Sequence, residues 1–218
     1  HHQVARRAAE ESVVLLKNDG LLPLGKERIQ SVAVIGPNAD SREILKGNYN
    51  GTASVSYTIL EGIQKELAGS ARVYYSEGCD LVRDQVEALA EPDDRISEAV
   101  AAARRSDVVF LCLGLNATLE GEEGDAANSY AGADRKDLGL PDPQCRLLKA
   151  VCETGTPVVL LVASGGAVSL PYAQEHCAAI LHVWYPGQMG GIAVADILFG
   201  NTVPSGKLPV TFYRNIAD

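Results

Sequence analysis

Four short, uninterrupted apolar runs constrain this chain most: SVAVI at 31–35, DVVFLCL at 107–113, VVLLV at 158–162 and ILHVW at 180–184. Each has the length of a strand and none alternates apolar with polar, so each reads as a strand covered on both faces. A shorter run, VYY at 73–75, adds another strand. Helix-like stretches at 58–67, 96–105, 142–154 and 192–199 lie between and after the runs. Thr58 is placed to cap the first of these, and Pro141 and Pro143 suit the opening of the third. The alternation predicts an α/β fold: a three-layer α/β sandwich around a mostly parallel sheet of about five to six strands. At the start, residues 4–17 read as a helix, with Val4, Ala8, Ser12 and Leu15 on one side and Asn18-Asp19-Gly20 ending it. Near the end, residues 205–212 read as a turn and a last strand at the sheet edge. A chain of 218 residues organised this way is a single domain.

In mostly parallel sheets, ligands sit outside the carboxyl ends of the strands. Four loops leave those ends: 36–40, 114–141, 164–166 and 185–191. The second dominates. It reads GLNATLEGEEGDAANSYAGADRKDLGLP and has no regular pattern, which in a compact domain marks a functional or disordered connection. It carries Glu120, Glu122, Glu123, Asp125, Asp134 and Asp137 against Arg135 and Lys136. The plain reading is a solvated acidic loop. The chemical reading is that carboxylates at a strand end serve general acid catalysis. Residues 47–51, GNYNG, form a second loop of interest. Asn-Gly makes a turn by itself, but Tyr49 can stack on a pyranose face and Asn48 can hydrogen-bond hydroxyls.

Composition removes other classes. A net charge of −9, from 19 basic and 28 acidic residues, argues against nucleic acid and anionic membranes as partners. No apolar run reaches the length of a membrane span. The five cysteines, Cys79, Cys112, Cys145, Cys152 and Cys177, include no CxxC pair, so a zinc site is not indicated. Cys112 and Cys177 read as small core residues. Without a disulfide framework the chain leans toward a reducing compartment such as the cytoplasm. Ser164 lacks the GxSxG elbow, no HExxH involves His176 or His182, and no GxGxxG or P-loop follows a strand. No metal and no cofactor are expected.

The segments ARRAAEESVVLLKNDGLLPL, SVAVIGPNAD, GNYNGT, LEGEEGD with DRKDLGLP, WYPGQMGGIAVADILFG and NTVPSGKLPVTFY occur in that order. Together they resemble the second, C-terminal α/β domain of family 3 glycoside hydrolases, the β-glucosidases, β-xylosidases and relatives. The resemblance runs from about Val4 to Phe212. In that family a (β/α)8 barrel comes first and supplies a nucleophilic aspartate, and the second domain supplies the acid/base glutamate on a loop. The resemblance therefore implies that residues 1–218 are the second domain of a larger retaining exo-β-glycosidase, acting on a β-xyloside or β-glucoside. The barrel of the same chain and a glycoside or oligosaccharide are the implied partners. By the family's Glu-then-Asp-Arg pattern, Glu122 is the first choice for acid/base and Glu120 the second. An insertion separates them from Asp134-Arg135. Tyr49 and Asn48 of the GNYNG loop are the candidate substrate contacts, while Trp184 and Tyr185 read as core aromatics, with a sugar contact as the alternative. With no second catalytic carboxylate assigned, these 218 residues alone are expected to be inactive. The alternative is a stand-alone doubly wound module that binds a small ligand at the same edge without catalysis.

Overall fold

The computed structural model describes residues 1–48, 50–84, 93–120, 135 and 137–218. Among these described residues, six α-helices and six strands follow in the order α1 (His2–Ser12), β1 (Val14–Asn18), β2 (Ser31–Ile35), α2 (Ile59–Glu66), β3 (Arg72–Ser76), α3 (Asp94–Ala103), β4 (Val108–Gly114), α4 (Asp142–Cys152), β5 (Val158–Ala163), α5 (Pro171–His176), β6 (Ala179–His182) and α6 (Gly190–Leu198). The strands form one sheet in the order β1-β6-β5-β4-β2-β3. All neighbours are parallel except β1, which runs antiparallel to β6. The α/β class and the six-stranded, mostly parallel sheet are those expected. Among the described residues no helix is long and apolar enough to cross a membrane.

The apolar runs form the middle of the sheet because both of their faces are covered. In β2, Val32 and Val34 point into one core with Ile59, Ile63, Val194 and Ile197, while Ala33 and Ile35 point into the other with Ala99, Leu147 and Val151. Strand β4 is buried at all seven positions. Helix α2 starts with a full capping box: the Thr58 hydroxyl accepts from the Glu61 amide, and the Glu61 carboxylate accepts from the Thr58 amide. That arrangement satisfies two otherwise orphaned donors. Helices α2 and α6 touch backbone to backbone. A Cβ on Gly191 would lie 1.9 Å from the Thr58 carbonyl oxygen, and one on Gly62 would lie 2.0 Å from that of Gly191.

Two expectations are corrected. The helix expected over 4–17 stops at Ser12, and residues 14–18 are the edge strand β1. Val13 and Val14 are β-branched and buried, and Val13 is extended at φ −61° and ψ 130°, so the chain leaves the helix there and pairs Val14 with His182. The strand expected within 205–212 is absent, and β1 and β3 hold the two edges. Pro209 has no amide to donate to a ladder. The segment is fixed instead by the Gly206 amide on the Val13 carbonyl at 3.1 Å and by Phe212 against His182 and Trp184.

Candidate active-site edge

Strand β4 hands the chain to the acidic loop at Gly114, and that handover is firmly built. Gly114 has φ +125°, and a Cβ there would lie 2.0 Å from the Ala163 carbonyl oxygen. Only glycine lets β4 end this close to β5. The fully buried Gln144 of α4 clamps the same residue. Its Oε1 accepts from the Gly114 amide at 2.7 Å, and its Nε2 donates to the Gly114 carbonyl at 2.8 Å and the Leu81 carbonyl at 2.6 Å. Beyond it, the Leu115 amide reaches the Ala163 carbonyl at 2.7 Å. Asn116 then organises a turn, its Oδ1 accepting from the Thr118 amide and hydroxyl while its carbonyl accepts from the Leu119 and Glu120 amides.

The turn delivers Glu120 into a nest of donors, with a side chain only 13% exposed. Its Oε2 accepts from the Gly165 amide at 2.5 Å and from the Tyr185 hydroxyl. Its Oε1 lies 3.6 Å from the Arg135 guanidinium, which also donates to the Ala167 carbonyl at 2.6 Å. Burial, and then the charge of Glu120, push the Tyr185 phenol upward, so it stays a donor across the working pH range. Gly47 packs near the Tyr185 ring, and Asn48 Nδ2 donates to the Glu120 carbonyl at 3.4 Å. Four connections thus meet at one point: the 47–48 turn, the start of the acidic loop, the turn after β5 and the turn after β6.

Of the residues singled out from the sequence, Glu120 and Asn48 are brought together. Glu122 and Tyr49 lie outside the described residues, as do Glu123, Asp125 and Asp134. Tyr185 sits at the site rather than only in the core. Trp184 does pack as a structural residue, its indole donating to the Ser12 carbonyl at 3.0 Å. Ser164 is fully buried and spends its hydroxyl on the Gly166 carbonyl at 2.8 Å. His176 stacks on Tyr172, and His182 is buried on β6. Among the described residues no group of three or more His, Cys, Asp or Glu could hold a metal ion. The Gly165 amide and Gln144 were missed as site builders. The turn after β5 was visible as a strand-end loop, but nothing in its composition names its partner.

The family model described as the glycosyl hydrolase family 3 C-terminal domain matches residues 13–218. The chain belongs to this family. Among curated relatives, a β-xylosidase of Formosa agariphila is 35% identical over 99% of this chain and 29% of its own length. A periplasmic β-glucosidase of Salmonella typhimurium is 36% identical over the same shares, 99% and 29%. The glycosyl hydrolase family 3 domain thus spans under a third of these relatives. Among solved structures, a β-glucosidase from Erythrobacter marinus superposes with a TM-score of 0.86 at 38% identity, covering 99% of this chain and 30% of that one. A β-glucosidase from Bifidobacterium adolescentis gives 0.81 at 33% identity, covering 99% and 29%. The relatives are thus glycoside hydrolases of both the xylosidase and glucosidase kind.

Proposed function

We propose that this domain supplies the acid/base carboxylate of a retaining exo-β-glycosidase acting on terminal β-xylosides or β-glucosides. It does so together with a barrel domain of the same parent chain that carries the nucleophile. Glu122 is the acid/base: it protonates the departing glycosidic oxygen and then deprotonates the incoming water. Glu120 is the anchor of the loop that carries it. The observation behind this division is that both Glu120 oxygens already face protein groups, the Gly165 amide and Tyr185 hydroxyl at one and Arg135 at the other. A carboxylate so engaged is poorly placed to give a proton to substrate, whereas it fixes where the following residues begin. Asn48, at the Glu120 backbone, and Tyr49 beside it contact the sugar.

The test is made in the full-length parent enzyme with Glu122→Gln and Glu120→Gln. Removing the general acid slows glycosides with poor leaving groups by about 10²–10⁴ and spares activated aryl glycosides in the first step. Glu122→Gln gives that split, and Glu120→Gln gives a smaller loss that is the same for good and poor leaving groups. If neither variant slows poor leaving groups by at least about tenfold, the domain does not provide the acid. The 218-residue chain alone is expected to leave aryl β-xylosides and β-glucosides intact. Robust turnover by it contradicts the two-domain reading.

A further inference from the structure

All five cysteines are free, and two of them are neighbours. Cys152 closes α4 and is half-buried, whereas Cys177 lies just past α5 and is buried, and their Sγ atoms are 3.9 Å apart. They sit where the chain enters β5 and β6, at the sheet edge opposite Glu120, so the proposed glycosidase chemistry uses neither. We propose that Cys152 and Cys177 are a disulfide-forming modification site, oxidised by a small disulfide of the glutathione class.

A disulfide needs its sulfurs about 2.05 Å apart, so about 1.9 Å must be closed between side chains already in contact. The pair is chemically asymmetric. The thiol–thiol contact with Cys177 holds the Cys152 thiol below its usual range, while the same contact, together with burial, pushes Cys177 up. Cys152 is also the more exposed of the two, so it is the thiol that a small disulfide reaches, and its thiolate attacks. Its sulfur attacks one sulfur of the small disulfide, that S–S bond breaks, and one small thiolate leaves. Cys177 then gives up its proton and attacks Sγ of Cys152, expelling the second small thiolate. Two protein thiols are oxidised to one disulfide, one small disulfide is reduced to two thiols, and the two protons pass to the leaving thiolates. The other cysteines are unsuited to this. Burial pushes Cys79 up to about 12 and raises the fully buried Cys112 as well. Cys145 is exposed, but its thiol points at the Leu140 carbonyl, 3.4 Å away.

The bond would enclose β5 and α5 in a loop from 152 to 177, and a closed loop of that size raises Tm by about 10 °C. The experiment treats the folded 218-residue chain with glutathione disulfide, blocks the remaining thiols and maps the peptides by mass. The expected result is a cross-link between the peptides holding Cys152 and Cys177, loss of two free thiols, and a raised Tm that dithiothreitol reverses. Cys152→Ser abolishes the cross-link and the Tm rise, and Cys145→Ser preserves both. The proposal is overturned if the folded chain loses no thiols, carries only mixed glutathione adducts, cross-links a different pair, or shows no change in Tm. Mapping the unsubstituted chain keeps the answer independent of how any variant folds.

Discussion

Tyr185→Phe isolates the contact on which the candidate site turns. The substitution removes only the hydroxyl that donates to Glu120 Oε2 and keeps the ring beside Gly47. A hydrogen bond to a charged group contributes about 1.5–3 kcal/mol. Because Glu120 retains the Gly165 amide and lies near Arg135, it is not left orphaned, which places the cost at the low end, about 1.5–2 kcal/mol. For a domain of this size that corresponds to a Tm lower by about 3–8 °C. Urea denaturation of the chain measures it, with Glu120→Ala as the second arm of a double-mutant cycle. Once Glu120 is alanine, Tyr185→Phe should cost about 1 kcal/mol less, because the hydroxyl has lost its charged partner. In the full-length enzyme Tyr185→Phe should lower kcat/KM by roughly tenfold while leaving the ranking of leaving groups unchanged, since no proton-transferring group is touched. A Tyr185→Phe chain as stable as the parent to within about 0.5 kcal/mol, or an equal cost in both backgrounds, refutes the anchoring role.

Two other consequences are open to measurement. Gln144→Leu deletes three hydrogen bonds, two of them buried, and orphans the Gly114 amide, so unfolding free energy should fall by about 3–5 kcal/mol, and a loss below about 1 kcal/mol would mean that the strand end is held by other contacts. Burial lowers His182 to about 4, so the folded chain keeps the imidazole neutral while the unfolded chain binds a proton below its usual value near 6.5. Its contribution is whole above about pH 6.5 and is lost as pH falls toward 4, about 3 kcal/mol across that window. Urea midpoints between pH 7 and pH 4 should show this slope, and His182→Leu should flatten it.

The legible part of the fold was the part with the least ambiguity in burial. Runs such as VVFLCL and VVLLV have no polar face to present to water, so they had to be central strands. Thr58, a residue suited to an N-cap, announces the start of α2. Strand β1 was hidden because ARRAAEES drives helix formation and VVLL follows without a glycine or proline to mark the change. What decides it is the pairing with β6, more than 150 residues away. The tail misled in the opposite way, since LPVTF has strand-like residues but Pro209 interrupts the ladder. At the site, the acidic loop and the GNYNG turn stood out through composition. Their meeting did not, because the Glu120 contacts to Gly165 and Tyr185 span 45 and 65 positions in the chain. Tyr185 was read as core for a sound reason: it is largely buried, and only its hydroxyl serves the edge.

The central claim is that Glu122 transfers the proton. Glu122→Gly in the full-length enzyme, assayed on an activated aryl glycoside with and without azide, tests it most directly. A lost acid/base leaves the glycosyl-enzyme stranded, and azide needs no base to attack it. The account predicts that azide restores turnover and yields the glycosyl azide with retained β configuration. Absence of rescue in Glu122→Gly, with rescue in Glu120→Gly instead, would contradict it and exchange the roles of the two glutamates.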